Sequence, residues 1–244
     1  MIMVSPLQRR QQRINLMQRH QVSANTDDGE TLAIAPVAPQ PSNQWDVVRA
    51  SLKKDSAALK SFKQVADKID YKKRHLEQYQ PYFESNTLPV DIAAIFMVWL
   101  FDCKEIQQAM LLADYCLKYG APMPEGFKSD VPTFVADEVL NWAESAFKQG
   151  HSTAPYFDQV LARFATDWKL FDQIEAKYYK LCGFMALGEH GTDIKYIPEP
   201  APLYAAKTWF EKAQTKYSKI GVNTRINDIN KRLTKLDLPL IAEE

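Results

Sequence analysis

Glycine is scarce, cysteine scarcer, and no long apolar run occurs, and each absence closes off a class of protein. Only eight of 244 residues are glycine. No G-x-x-x-x-G-K-[ST] or G-x-G-x-x-G stretch is present, so the backbone cradles on which ATPases and dinucleotide enzymes hold phosphate are missing and ATP hydrolysis is not expected. Cys103, Cys116 and Cys182 are odd in number, widely spaced and set in apolar runs. They read as buried free thiols of a reducing compartment rather than as a disulfide or metal framework. His20, His75, His151 and His190 stand apart, with no H-x-x-x-H or C-x-x-C pair to begin a metal site. The longest apolar run, Ile92–Phe101, lies between Asp91 and Asp102 and falls well short of the ~20 residues a spanning helix needs. Arginines near the start are followed by no apolar run, so no signal peptide is read there, and a cytoplasmic protein without membrane contact is expected.

What is present is helical material. Ala, Leu, Lys, Gln and Glu are plentiful, and helix interiors favour such residues while disfavouring glycine. The expected fold is all-α: a basic N-terminal arm and tether, then helical hairpins stacked in a bundle or a short tetratricopeptide-like solenoid. Thirty Lys or Arg cancel thirty Asp or Glu, yet residues 1–80 hold thirteen basic and eight acidic side chains, against seventeen and twenty-two in the remainder. A basic front suits a polyanion, and an acidic rear suits a different contact.

Four segments follow. Residues 1–22 open with Ser5-Pro6, suited to a helix start, and carry Arg9, Arg10, Arg13 and Arg19 with no acid and a thin stripe of Leu7, Ile14 and Met17. Such an arm orders on a partner. Residues 23–44 turn to Pro36, Pro39, Pro41 and small polar residues, a flexible tether spanning on the order of 25 Å. Residues 45–83 are helical in composition, with nine basic residues against five acids. Leu52, Leu59, Phe62, Val65, Ile69 and Leu76 form the expected buried stripe. Lys53, Lys54, Lys60, Lys63, Lys72, Lys73 and Arg74 mostly fall elsewhere. Asp55 or Ser56 is the candidate break of a helix-turn-helix pair, with an ordinary helical hairpin as the competing reading.

Residues 84–244 form the expected helical core and assembly domain. Ile92, Ile95, Phe96, Trp99, Leu100 and Cys103 mark one helix; Ile106, Ala109, Met110, Ala113 and Leu117 repeat at three and four after it. An antiparallel hairpin follows from that spacing, with Gly120 ending its second helix in a left-handed cap. Pro122, Pro124 and Pro132 are expected to hold an extended turn before the next helix. Ile174, Tyr178, Leu181 and Met185 mark a further helix, and Val222, Ile226, Ile229, Leu233 and Leu236 the last. Between these, Ala206, Phe210 and Ala213 repeat the small-x₃-aromatic-x₂-small spacing of a tetratricopeptide second helix, after a loop assigned Pro198, Pro200 and Pro202.

Two kinds of chemistry can be sought. Arg and Lys neutralise phosphates and release counterions, so the arm and the basic helices are candidates for salt-dependent DNA binding. A two-metal nuclease needs converging carboxylates, for which Asp91, Asp102, Glu105, Asp114, Asp137 and Glu138 are the candidates. Asp102 and Glu105 can share a helix face, or Asp102 can cap the helix beginning near Lys104. No cofactor is expected, and a divalent metal only if the chain is itself a nuclease.

Three passages carry a family likeness: Ser5-Pro6 with Gln8-Arg9 and Arg13; the Lys72-Lys73-Arg74 helix running into Tyr79-x-Pro81; and WLFDCKEIQQAMLLADYCLKYGAPMP with FVADEV, including Asp102, Ile106, Ala109, Ala113, Leu117-Lys118-Tyr119-Gly120 and Met123-Pro124. In these the chain resembles the small terminase subunit family of temperate cohesive-end myophages, often labelled terminase endonuclease subunit. The resemblance implies a subunit that recognises the packaging-initiation (cos) site on viral double-stranded DNA and assembles as a homo-oligomer, commonly a ring. It further implies delivery of DNA to a large terminase subunit bearing the ATPase and nuclease, in the host cytoplasm. Two alternatives stay open: a metal-dependent endonuclease in its own right, and a helical-repeat adaptor that binds only protein.

Overall fold

A computed structural model describes residues 43–85, 87–164, 166–188 and 193–240. The expected arm and most of the tether lie outside these residues. Among the described residues the elements are nine α-helices and two single 3-10 turns, with no strand. The helices are α1 Gln44–Ser61, α2 Val65–Tyr79, α3 Val90–Asp102, α4 Ile106–Lys118, α5 Val131–Lys148, α6 Tyr156–Arg163, α7 Asp172–Leu187, α8 Pro200–Lys216 and α9 Asn223–Lys235. The all-helical class stands as expected.

The centre of the first core is α3, whose Ile92, Ala93, Phe96, Met97 and Phe101 are fully buried. Its apolar residues run all round rather than along one stripe, which is what a helix enclosed on every side requires. Reversal into α4 takes three residues. Cys103 N bonds Trp99 O, and Glu105 N bonds Leu100 O at 2.9 Å, while Lys104 adopts φ 65°. A side chain in that left-handed region is uncommon outside Gly and Asn. Gly120, at φ 61°, ends α4 as its sequence position indicated, with Ala121 N bonded to Cys116 O at 2.8 Å.

Three proline assignments change. Pro132 sits in the first turn of α5, behind an Asp130 cap that accepts the Thr133 N–H at 2.9 Å. Pro200 and Pro202 likewise sit in the first turn of α8, and only Pro198 remains in the preceding loop. The first helical turn has no intrahelical use for its N–H groups, so proline opens a helix as readily as it holds a loop.

From α3 onward each helix packs chiefly on its neighbours in the chain: α3 on α4, α4 on α5, α5 on α6 and α7, α7 on α8, and α8 on α9. This is a row of hairpins, with one core spanning α1 to α7 and a second under α7 to α9. The α7–α8 pair is the most intimate. Ala206, Phe210 and Ala213 are fully buried, and opposite them stands Gly183, where an added Cβ would lie 2.6 Å from Phe210 Cδ1 and 2.8 Å from its Cζ. Tyr179-x-x-Cys182-Gly183 also fits the aromatic-x₂-apolar-Gly spacing of a tetratricopeptide first helix.

Candidate nucleic-acid interface

The basic helices α1 and α2 are held together by a polar lock on an otherwise apolar seam. Trp45, Val48, Leu52 and Asp55 form the buried face of α1. Asp55 is only 4% exposed, and it accepts the hydroxyls of Tyr71 at 2.8 Å and Tyr79 at 2.5 Å, with Ser51 Oγ 2.8 Å from Tyr79. Burial and the neighbouring Asp55 push the Tyr79 hydroxyl well above the ordinary tyrosine range, so it stays a donor. A buried carboxyl group without such partners would cost several kcal/mol.

Asp55 therefore does not break the helix: α1 runs through it to Ser61, and the chain turns at residues 62–64. The expected stripe is also only partly buried. Leu52 and Leu76 are enclosed, Leu59 packs from a half-buried position, and Val65 is 71% exposed, since α2 begins beyond the turn with that side outward. Sequence alone does not group Asp55 with Tyr71 and Tyr79. One signal was available: Asp55 falls in register with Val48 and Leu52 on the apolar face, where a carboxylate demands a partner.

With that seam closed, Lys53, Lys54 and Lys60 on α1, Lys63 in the turn, and Lys73 and Arg74 on α2 are exposed. Lys72 is not: it ion-pairs with Asp102 at the end of α3, and its Nζ lies 5.7 Å from the centroid of the Trp99 ring. It braces α2 on α3 instead of facing solvent with the others. Arg49 is similarly engaged, clasping Asp91 through Nε at 2.9 Å and Nη2 at 3.1 Å. That two-pronged bond holds the Asp91 carboxyl below its usual range and raises the guanidinium. Arg9, Arg10, Arg13 and Arg19 lie outside the described residues. Along α1, a groove of 810 Å³ opens, with Lys53 and Lys60 on one wall and Trp99, Phe127, Phe134 and Glu138 among its other lining residues.

Four of the six candidate metal carboxylates are drawn to cations. Asp91 goes to Arg49, Asp102 to Lys72, Asp114 to Arg163 at 2.6 Å, and Glu138 to Lys104 at 3.7 Å. Burial raises the Asp137 and Glu138 carboxyls above their ordinary values. Asp102 ends α3 and caps nothing; α4 starts at Ile106, with Glu105 at its N-cap position. Among the described residues no group of three or more His, Cys, Asp or Glu is gathered as for a metal ion. Cys103, Cys116 and Cys182 are free and buried, and desolvation lifts their thiols to about 11, 12 and 12 respectively.

This same region carries the sequence relationship. The phage small terminase subunit family matches residues 49–173, from α1 past α6. The chain belongs to that family. Among its relatives, the probable terminase, endonuclease subunit, of Haemophilus phage HP1 is 32% identical over 154 residues, covering 59% of this chain and 54% of that protein. The terminase, endonuclease subunit, of Escherichia phage P2 is 29% identical over 93 residues, or 38% of each. The chain thus aligns with about half or less of each relative's length. No solved structure matches it. Among the described residues no helix of this family member is long and apolar enough to cross a membrane.

Proposed function

We propose that this chain is the small subunit of a viral DNA-packaging terminase. It binds the packaging-initiation (cos) site, self-associates, and presents double-stranded DNA to the large ATPase and nuclease subunit in the host cytoplasm. Within the terminase family, the observation that supports a DNA contact is the set of lysines and Arg74 left outward when Asp55, Tyr71 and Tyr79 close the α1–α2 seam. Lys53, Lys54, Lys60, Lys63, Lys73 and Arg74 are the phosphate contacts, joined by Arg9, Arg10, Arg13 and Arg19. Lys72 acts indirectly, by fixing α2 on α3.

The test is duplex binding by the full chain over a salt series. Charge reversal of Lys53, Lys60 and Lys73 is expected to weaken binding and flatten its salt dependence by about 0.9 log unit per decade for each phosphate left unneutralised. Deleting residues 1–22 is expected to do the same. Wild-type protein that shifts no duplex at ~50 mM salt, yet captures a large terminase subunit, would favour the protein-only adaptor instead. The endonuclease designation of the two phage relatives favours a second reading, in which this chain cuts DNA with a divalent metal. Nicking by the purified protein in Mg²⁺ or Mn²⁺, lost in Asp102→Ala, would establish it.

A further inference from the structure

The net acidity of residues 81–244 conceals two opposite stretches. Residues 81–194 hold eight basic and sixteen acidic side chains, whereas residues 195–235 hold nine basic and three acidic. The second stretch is α8 and α9 with the 3-10 turn before them, Ile194–Tyr196. It lies wholly outside the family match at residues 49–173.

Several of these nine cations are occupied inside the fold. Lys216 bridges to Glu175 at 2.7 Å, Lys207 donates to Leu240 O at 2.6 Å, and Arg225 reaches Asp228 at 4.0 Å. Four of them instead line one 310 Å³ concavity: Lys195, Lys231, Arg232 and Lys235. Its construction is specific. Ile194 and Ile197 are buried in the core shared with Ile229 and Leu233, pinning the 3-10 turn to α9. Arg232 Nε donates to Ile197 O at 2.8 Å and so clamps the two segments together. Lys195 is thereby carried beside Lys231 and Lys235, and its Nζ rests 4.5 Å from the centroid of the exposed Tyr196 ring.

Two acids, Asp193 and Asp228, also line the concavity. Asp228 is shared between Arg225 and a loose 3.9 Å contact with Lys231, which stays 76% exposed. Lys195 and Lys235 have no carboxylate at ion-pair distance among the described residues. Cations in a last helical turn also complement the helix dipole. That accounts for Arg232 and Lys235 but not for Lys195, which comes from a different segment.

We infer that the concavity between the 3-10 turn and α9 is a second nucleic-acid backbone site, in which Lys195, Lys231 and Lys235 contact phosphates of double-stranded DNA. Arg232 positions it and Tyr196 flanks it. The inference rests on the DNA-binding reading above and adds a contact far along the chain from α1 and α2.

The test compares three full-length proteins on a mixed-sequence duplex over a salt series: wild type, the front triple reversal of Lys53, Lys60 and Lys73, and a rear variant with Lys195→Glu, Lys231→Glu and Lys235→Glu. A second rear variant carries glutamine at the three positions, and far-UV circular dichroism checks that each is folded. The rear variants are expected to bind ~10- to ~500-fold more weakly at ~0.1 M salt, with a slope flattened by up to about 2.7 log units per decade. Rear variants with wild-type affinity and slope, beside a weakened front variant, overturn this inference and leave the functional reading standing. Wild-type protein without salt-dependent duplex binding overturns both.

Discussion

Gly183→Ala is the sharpest single test of the packing described here, because two effects of known sign compete. A helix interior prefers alanine to glycine by ~1 kcal/mol, so with open space the substitution would stabilise α7. Space is what is missing. The new Cβ would lie 2.6 Å from Phe210 Cδ1 and 2.8 Å from its Cζ, where carbon atoms normally rest ~3.5–4.0 Å apart. The ring must retreat by about 1 Å. Phe210 is fully buried and meets Phe184 edge-on, with centroids 5.3 Å apart, so it has nowhere to swing. Overpacking of this kind costs ~1–3 kcal/mol, which outweighs the propensity gain in most of that range. Gly183→Ala is therefore expected to lower the urea midpoint, with the denaturant slope unchanged. In a Phe210→Leu background, the shorter side chain vacates the site and the same alanine becomes stabilising by up to ~1 kcal/mol. A coupling of ~1–3 kcal/mol between the two positions follows. A raised midpoint for Gly183→Ala in the wild-type background would refute the close approach of α7 and α8.

Tyr79→Phe removes one of two hydroxyls on the buried Asp55; a loss of ~1–3 kcal/mol is expected from chemical denaturation, for a buried acceptor left short of a partner. No loss would mean that the α1–α2 seam does not depend on this lock. Asp137 gives a pH-dependent effect of opposite sign to an ordinary salt bridge. Burial raises its carboxyl above the ordinary 3.8, partly offset by Lys177. The group's favourable contribution is therefore full below the unfolded value and lost as pH rises through the folded one. Asp137→Asn should accordingly raise Tm at pH 7 and leave it unchanged near pH 3, and an equal gain at both would show that the carboxyl is not desolvated.

The parts of this fold legible from sequence were those fixed by local rules. Helical periodicity located α3 and α4, and Gly120 marked their end, because a left-handed cap is a property of one residue and its immediate neighbours. Prolines misled at Pro132, Pro200 and Pro202 for a related reason: proline states a backbone angle, and both a loop and a first helical turn accept it. Asp55 misled more deeply. Its polarity resembled a turn signal, yet its partners arrive from Tyr71 and Tyr79 on the next helix, and no local window contains that information. Lys72 fails in the same way, since Asp102 lies thirty residues on.

Charge poses a different difficulty, because a sum depends on where the chain is divided. Split at residue 80, the molecule has a basic front and an acidic rear; divided by the elements that fold together, it runs basic, acidic, basic. The α8–α9 stretch then differs from α1–α2 in how its cations are held. In α1 and α2 the lysines follow the outer faces of two helices joined by a polar seam. Between the 3-10 turn and α9, the buried Ile194 and Ile197 and the Arg232 clamp bring Lys195 from a separate segment to Lys231 and Lys235. Cations gathered from two segments into one concavity are fixed in mutual spacing by the core beneath them. That fixed spacing is what separates a phosphate site from a merely solvated basic face, and it makes charge reversal of Lys195, the member that no helix dipole explains, the most discriminating single change in the group.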